Sequence, residues 1–233
     1  MNNRTLHTLT GVCGILTGAL ALAVVPLYFI YSGPPPTWNV LTRTLLSIPM
    51  LVALLVFFTG VRHLIRAVGS GYDMLAALVY GTGAAYVAVT LVSESMEAGV
   101  PLYTKSGALD PTVDGPLAAG MVLIHGPIAR VLMAVTLIGI AYAASRTTVL
   151  PRWVTVTGYL LAAINLAFIP SLYFGMNPAH FYAANGWGST ASISSVFFYW
   201  VAAVGIAIVR RRHTVTSTAT TITTARGKTA VPA

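Results

Sequence analysis

Charged residues, and acidic residues above all, are scarce in this sequence. Asp and Glu together account for 5 of the 233 residues, and all charged residues make up 8% of the chain. An ordinary soluble domain carries roughly 25% charged residues, so the composition excludes a typical soluble enzyme or binding module. Hydrophobic residues make up 56% of the chain, and the longest polar stretch is the tail after Arg212. The sequence therefore predicts an integral membrane protein without a soluble domain.

Cysteine is nearly missing as well. Cys13 is the single cysteine, so an intramolecular disulfide is excluded and no thiol-rich metal or redox site is expected. A metal site made from Glu94, Glu97, His125 and His180 is conceivable, but the sequence has neither an HExxH motif nor a pair of histidines at helical spacing to support it. We therefore expect no metal and no cofactor.

Basic residues mark the side of the membrane that each loop faces. Short cytoplasmic loops collect Lys and Arg, and ten of the thirteen Lys and Arg residues lie in alternate inter-helix segments: Arg4, Arg62, Arg66, Arg146, Arg152, Arg210, Arg211, Arg212, Arg226 and Lys228. This alternation predicts six spans in the cell membrane, with both termini in the cytoplasm. Orientation and contact with anionic lipid headgroups explain the net charge of +8, so no nucleic-acid partner is expected.

Apolar runs of about 20 residues, the length needed to cross a bilayer, predict an all-α, polytopic six-helix bundle. The expected spans are 9–31, 41–61, 74–96, 117–144, 152–173 and 190–209. They form a transmembrane domain over residues 1–213, followed by a disordered, Thr-rich cytoplasmic tail over 214–233. The first span is expected to be retained, because its apolar run is too long for a usual signal core. Gly14, Gly18, Gly81 and Gly83 are expected to permit close helix packing.

Two acidic residues lie at the outward end of the third span. Glu94 and Glu97 are three residues apart and share one helix face. Nearby carboxylates raise one another's proton affinity, whereas a neighbouring Arg lowers it, so the pair is a candidate general acid or base, or a cation ligand. The alternative is that headgroup water simply wets both residues. This simpler interpretation is favoured for Glu97, while both interpretations stay open for Glu94, one turn deeper.

The fourth span contains two further candidates. A buried Arg130 needs a carboxylate, carbonyls or water, because placing Arg at the bilayer centre costs about 2.5 to 3.5 kcal/mol. Glu94 is the expected partner, directly or through water, in either a binding site or a structural ion pair. His125 precedes Gly126 and Pro127, and a proline within a helix can kink its axis. The kink would open a pocket beside His125, for which a hydrogen-bonded structural role is the simpler interpretation.

The polar residues of the second to fifth spans thus predict a site in the outer half of the bundle. The predicted catalytic residues are Glu94, His125 and Glu97. The predicted substrate-binding residues are Arg43, Arg130, Asn165, Tyr28 and Tyr86. In the inner half, only hydroxyl groups are available, and none of them is ionisable: Thr59, Thr82, Thr136 and Thr157.

A short motif resembles a known family. Residues 149–158 read VLPRWVTVTG, which is similar to the (V/L)PRW(L/I)xxxG run that members of the domain-of-unknown-function 4386 family often show in the inward loop between their fourth and fifth helices. This is a bacterial six-helix integral-membrane family. The resemblance implies the same architecture and a bacterial source, and it implies no catalytic residues.

The favoured function is a small membrane enzyme that acts on a lipophilic, for example isoprenoid, substrate. Metal-independent cyclisation or isomerisation would need only acid/base chemistry at Glu94, with Arg130 and Arg43 positioning a polar head. A transporter, channel or export/immunity component is the first alternative, and a non-catalytic membrane scaffold is the second. The expected partners are membrane lipids and the lipophilic small molecule, and a homo-oligomer is left open.

Overall fold

The chain folds into helices joined by short loops. The computed structural model describes the backbone of residues 3–227 and the side chains of residues 4–211. Seven α-helices and no strands are present in that part of the chain: α1 (Asn3–Leu27), α2 (Thr37–Arg66), α3 (Asp73–Tyr103), α4 (Gly115–His125), α5 (Arg130–Arg146), α6 (Arg152–Ala167) and α7 (Ile193–Gly227). Short 3-10 turns cover Ser70–Tyr72 and Ile169–Phe174, and a π turn covers Gly188–Ser192.

Six helical segments are long and apolar enough to cross a membrane: Arg4–Leu27, Thr37–Arg66, Ser70–Tyr103, Gly115–Arg146, Arg152–Phe174 and Gly188–Arg211. Each predicted span overlaps one of these segments, so the all-α class and the six spans of a multi-pass membrane protein are confirmed. The tail predicted to be disordered is 214–233; the backbone of 214–227 continues α7, and residues 228–233 lie outside the described part of the chain.

Packing follows a simple order in space. Helix α1 packs on α2 and α7, α2 packs on α3, and α5 packs on both α3 and α6. The core between these helices is built from fully buried apolar side chains, including Leu51, Leu54, Phe57, Val79 and Leu137. Because lipid tails are as apolar as these side chains, close van der Waals packing rather than escape from water holds such helices together.

The two ends of the bundle differ in chemistry. One end, here called the proline-loop end, carries the loops 28–36 and 104–114 and the segment 168–192. The opposite end, here called the arginine end, carries the basic residues at the other helix termini, namely Arg62, Arg66, Arg146, Arg152, Arg210 and Arg211. Most of the polar side chains predicted for the site lie towards the proline-loop end, whereas Tyr86 and Arg130 lie near the middle of their spans.

The fourth span is broken near its middle. Helix α4 ends at His125 and α5 begins at Arg130. Between them the backbone leaves the regular pattern, because Gly126 adopts φ −82° and ψ −114° and the amide of Ile128 donates to the carbonyl of Leu123, five residues back, at 3.1 Å. Pro127 lacks an amide hydrogen and cannot continue an α-helical ladder. The disruption expected at Pro127 is therefore present, and it places His125 and Arg130 at facing helix ends.

Close helix contacts occur at three of the four predicted glycines. A Cβ atom built on Gly14 would lie 3.0 Å from a ring atom of Phe57, and one on Gly18 would lie 2.4 Å from Cβ of Ala202. One on Gly83 would lie 2.5 Å from the ring of Phe58. A Cβ atom on Gly81 meets nothing within 4 Å, so the packing role predicted for Gly81 is wrong.

Gly83→Ala and Gly81→Ala form a matched pair on one helix. We expect Gly83→Ala to destabilise the fold by about 1 to 3 kcal/mol, because Phe58 is fully buried and cannot move aside cheaply. We expect Gly81→Ala to be neutral or to stabilise the helix by up to about 1 kcal/mol. Reversible unfolding in detergent micelles measures both, and equal stability of the two variants would contradict the packing described here.

Candidate functional site

A cavity of about 580 Å³ lies within the proline-loop end of the bundle. Its volume falls in the range of roughly 300 to 1,000 Å³ that is usual for small-molecule sites. The lining begins at loop residues such as Gly33 and Pro178 and extends inward to Met50, Thr90 and His125. No residue of the arginine end is among its lining residues. The cavity is therefore one-sided.

Apolar side chains form most of the deep wall. Helices α1, α2, α4 and α7 supply Ala21, Val24, Met50, Met121, Val122 and Phe198, all of which are buried. A wall of this kind favours an apolar ligand and excludes water from the groups that face it. The few polar side chains within it therefore determine what chemistry the cavity supports.

Glu94 is the acidic group at the deep end of this cavity. Its side chain is buried, with 9% of the residue exposed, and its Oε2 atom has no hydrogen-bond partner within the protein. The hydroxyl-bearing Ser47 and Thr44 lie beside it. Among the described residues no Lys or Arg forms an ion pair with it. Glu94 thus lines the cavity and has one carboxylate oxygen without a hydrogen-bond partner within the protein.

Glu97 lines the same cavity but has committed partners. Its Oε1 atom lies 2.7 Å from Nη2 of Arg43, and its Oε2 atom accepts a hydrogen bond of 3.1 Å from the hydroxyl of Tyr28. The Arg43 guanidinium also lies 4.0 Å from the centroid of the Tyr28 ring. Glu97 is only 4% exposed, so the favoured interpretation, a residue wetted by the headgroup region, is wrong. The geometry makes Glu97 part of a buried ion pair.

His125 lines the cavity from the last turn of α4. Its Nδ1 atom is buried and has no hydrogen-bond partner within the protein. The ring of Tyr86 lies behind it, with 6.3 Å between the ring centroids, and Tyr86 packs in turn on Phe197 with its ring centroid 5.8 Å away. Tyr86 is 1% exposed and does not line the cavity, so it supports His125 rather than contacting a ligand.

Arg130 is fully buried at the start of α5 and binds backbone carbonyls. Its Nη2 atom donates to the carbonyl of Ser189 at 2.6 Å, to the carbonyl of Thr190 at 3.0 Å and to Oγ of Ser194 at 3.2 Å. Its Nη1 atom donates to Oδ1 of Asn165 at 3.4 Å. One guanidinium therefore joins α5 and α6 to the start of the sixth span.

The expected direct ion pair between Arg130 and Glu94 does not form. The ion pairs among the described side chains are Arg43 with Glu97 and Arg66 with Asp73. Carbonyl groups bind the two Nη atoms of Arg130 instead, while its buried Nε atom has no hydrogen-bond partner within the protein. Neither Arg130 nor Asn165 lines the cavity. Arg130 contacts the lining residues Thr190 and Ser194 directly, and Asn165 is connected to them only through Arg130.

Several cavity residues carry no distinctive sequence signal. They are Ser47, Thr90, Ser93, Asn185, Thr190, Ser194 and Ser195. Ser and Thr commonly bond to the carbonyl one turn back in a helix, as Thr90 does to Tyr86 at 2.8 Å, so their presence in a span predicts nothing specific. Asp110 and Asp114, at the mouth of the cavity, could have been identified from the sequence. The chain has only 5 acidic residues, and these two lie in the loop that follows Glu94 and Glu97 of α3, so their position indicated that they belong to the same site.

Comparisons with protein-family models, curated proteins and solved structures give no match for this chain. The resemblance to the domain-of-unknown-function 4386 family therefore stays a prediction. The site has to be interpreted from its own geometry.

Proposed function

We propose that the protein is an integral membrane enzyme that acts on a lipophilic substrate, for example an isoprenoid, by acid/base chemistry in the one-sided cavity. The observation that carries the proposal is Glu94, a buried carboxyl group with a free oxygen in an otherwise mostly apolar cavity. A positioned acid or base contributes about 10² to 10⁴ in rate when it lies within reach of the reacting atom. His125, whose Nδ1 atom is also unpartnered, is the proposed second proton-transfer group.

Cyclisation or isomerisation fits this inventory because neither reaction consumes a co-substrate. In the proposed step the π electrons of a carbon–carbon double bond form a C–H bond with the proton of Glu94. The resulting carbocation is attacked by a second double bond in a cyclisation, or rearranges in an isomerisation. The Glu94 carboxylate then accepts a proton from a neighbouring carbon, directly or by way of His125, which restores a double bond and returns Glu94 to its protonated form.

The proposed orientation places the cavity in the outer half of the membrane. Both termini and the arginine end would then face the cytoplasm, in keeping with the preference of short cytoplasmic loops for Lys and Arg. The structure supports the proposal by gathering basic residues from two connections and from the end of the sixth span, including Arg66, Arg152 and Arg210, at one end. A cell membrane, in a bacterium, is the proposed location.

A small-molecule transporter is the second candidate, and the break between α4 and α5 favours it. Discontinuous helices often build the binding sites of transporters. The lining of the cavity stops before the arginine end, which favours the enzyme. Flux of the identified compound into proteoliposomes would distinguish the two functions.

Lipid-extract mass spectrometry on the purified protein tests the proposed enzyme. Wild-type protein is expected to carry or convert a lipophilic compound, and Glu94→Gln is expected to lower conversion by about 100-fold or more, because Gln cannot transfer a proton. Asp73→Asn is the matched control, since Asp73 is half exposed in an ion pair with Arg66 at the arginine end. Equal conversion by wild type and Glu94→Gln, or bulk phospholipid alone in every extract with no conversion of added isoprenoids, would refute the proposal.

A further inference from the structure

The acidic residues of this chain are concentrated at the cavity. Of the 5 acidic residues in the sequence, all except Asp73 line it: Glu94, Glu97, Asp110 and Asp114. The lining includes no Lys or Arg, although the chain contains 13 such residues. Arg43 compensates Glu97 from behind, and the described residues supply no ion-pair partner to the other three. A chain with a net charge of +8 thus contains a negatively charged cavity.

Buried acceptors without partners form a second, independent observation. Oε2 of Glu94 and Oδ1 of Asn185 are buried and make no hydrogen bond within the protein. The two residues are 9% and 7% exposed, and both line the cavity. A carboxylate and an amide oxygen can only accept hydrogen bonds, and leaving such a group unpaired costs about 1 to 3 kcal/mol. The deep wall is therefore built to receive a ligand that donates.

Aromatic rings supply a third feature. Tyr28, Phe29, Trp187 and Phe198 line the cavity, and the faces of such rings attract cations. Tyr28 already shows this behaviour, since the Arg43 guanidinium lies 4.0 Å from its ring centroid. The same rings, together with the aliphatic wall, also accommodate an apolar tail.

The arrangement of the charges favours an organic cation over a metal ion. Within the described residues, no group of three or more His, Cys, Asp or Glu side chains is placed to hold a metal. Glu94 lies at the deep end, whereas Asp110 and Asp114 lie in the loop at the mouth, where they accept hydrogen bonds from the loop backbone. Dispersed negative charge attracts a cation into the cavity without coordinating it.

We infer that the cavity binds a lipophilic ammonium ion, an amine whose N–H groups donate to Glu94 and Asn185 and whose apolar tail lies against α1, α2 and α7. The inference rests on the proposed function for the location of the site and names the class of its ligand. It does not depend on turnover. In the proposed reaction, the same negative charges would stabilise the positive charge that develops on a substrate carbon.

Equilibrium binding with three probes of equal chain length tests the inference. Octylammonium, octanol and octanoate are titrated into the full-length protein in uncharged maltoside micelles, with tryptophan fluorescence or calorimetry as the readout. Octylammonium is expected to bind at least about tenfold more tightly than octanol, because a hydrogen bond to a charged group is worth more than one between neutral groups. Octanoate is expected to bind most weakly. Binding of octanol or octanoate as tight as that of octylammonium would overturn the inference.

Variants assign the preference to the cavity. Glu94→Gln is expected to lower the preference for octylammonium over octanol by about tenfold, whereas Asp73→Asn is expected to leave it unchanged. Asp114→Asn gives an independent test if Glu94→Gln does not fold. The Asn side chain of Asp114→Asn keeps an oxygen that accepts from the Asp110 amide, which donates to Asp114 at 2.5 Å in the wild type. The variant removes one negative charge at the mouth of the cavity. The preference for octylammonium over octanol is therefore expected to fall by about threefold.

Equal losses in Asp73→Asn and in the cavity variants would overturn the assignment. The outcome is separable from that of the proposed enzyme. Selective octylammonium binding without conversion of any lipid would support this inference and refute the proposed reaction. Conversion of a lipid without selective octylammonium binding would support the proposed reaction and overturn this inference.

Discussion

Replacing Arg43 with methionine is expected to destabilise the protein by about 3 to 5 kcal/mol, the usual cost of removing one partner from a buried ion pair. Arg43 and Glu97 are 3% and 5% exposed at their side chains and lie 2.7 Å apart. Without Arg43, Glu97 would keep only the hydroxyl of Tyr28 as a partner. Reversible unfolding in mixed micelles measures the loss in the free energy of unfolding.

The double variant Arg43→Met/Glu97→Gln distinguishes an ion pair from simple packing. It removes both charges, so it is expected to be at least about 2 kcal/mol more stable than Arg43→Met alone. Arg66→Met is the matched control, because its partner Asp73 is as exposed as Arg66 itself, at 52%, and exposed pairs contribute about 0 to 1 kcal/mol. If Arg43→Met costs no more than Arg66→Met, the buried pair has no special role in stability.

Arg130→Met is expected to destabilise the protein by about 3 kcal/mol or more. Met is close to Arg in length and apolar, so the change isolates the hydrogen bonds from the packing. It leaves the carbonyls of Ser189 and Thr190 without the donor that now lies 2.6 and 3.0 Å away, and each buried group left unpaired costs about 1 to 3 kcal/mol. The same unfolding experiment provides the measurement.

Two further variants identify what Arg130 contributes. Arg130→Lys keeps the charge but loses the planar fork that reaches several acceptors at once, so an intermediate loss is expected. Arg152→Met, at an exposed position at the start of α6, is expected to change stability by no more than about 0.5 kcal/mol. If Arg130→Met leaves the free energy of unfolding unchanged, water replaces the guanidinium without cost and the expected loss of stability is contradicted. Weaker octylammonium binding by Arg130→Lys than by wild type would show that Arg130 also shapes the cavity wall at Thr190 and Ser194.

Much of the candidate site follows from depth along the predicted spans. Glu94, Glu97 and His125 were expected at one end of the bundle, and all three line the cavity. Depth was sufficient because a rise of about 1.5 Å per residue places polar groups of neighbouring spans at similar heights. The break at Pro127 was also predictable, since the chemistry of proline is local.

Partner choice was not predictable in the same way. Glu97 pairs with Arg43 of another span, and the interaction of the two depends on the rotation of α2 relative to α3. Arg130 binds the carbonyls of Ser189 and Thr190, and every residue type has a carbonyl, so no side-chain pattern could have identified this partner. Gly81 and Gly83 likewise differ only in which helix face they occupy, and that face decided their contacts.

The sequence by itself determined the all-helical class, the six spans and the end of the bundle at which the polar groups lie. These properties depend on hydropathy, proline chemistry and distance along a helix, which are local. Only the tertiary structure decided that Glu97 has an ion-pair partner while Glu94 has none, that Arg130 supports the cavity wall, and that four acidic residues line one cavity. These properties depend on how the helices rotate and pack against one another, because a side chain's partner is set by the face that its neighbour presents.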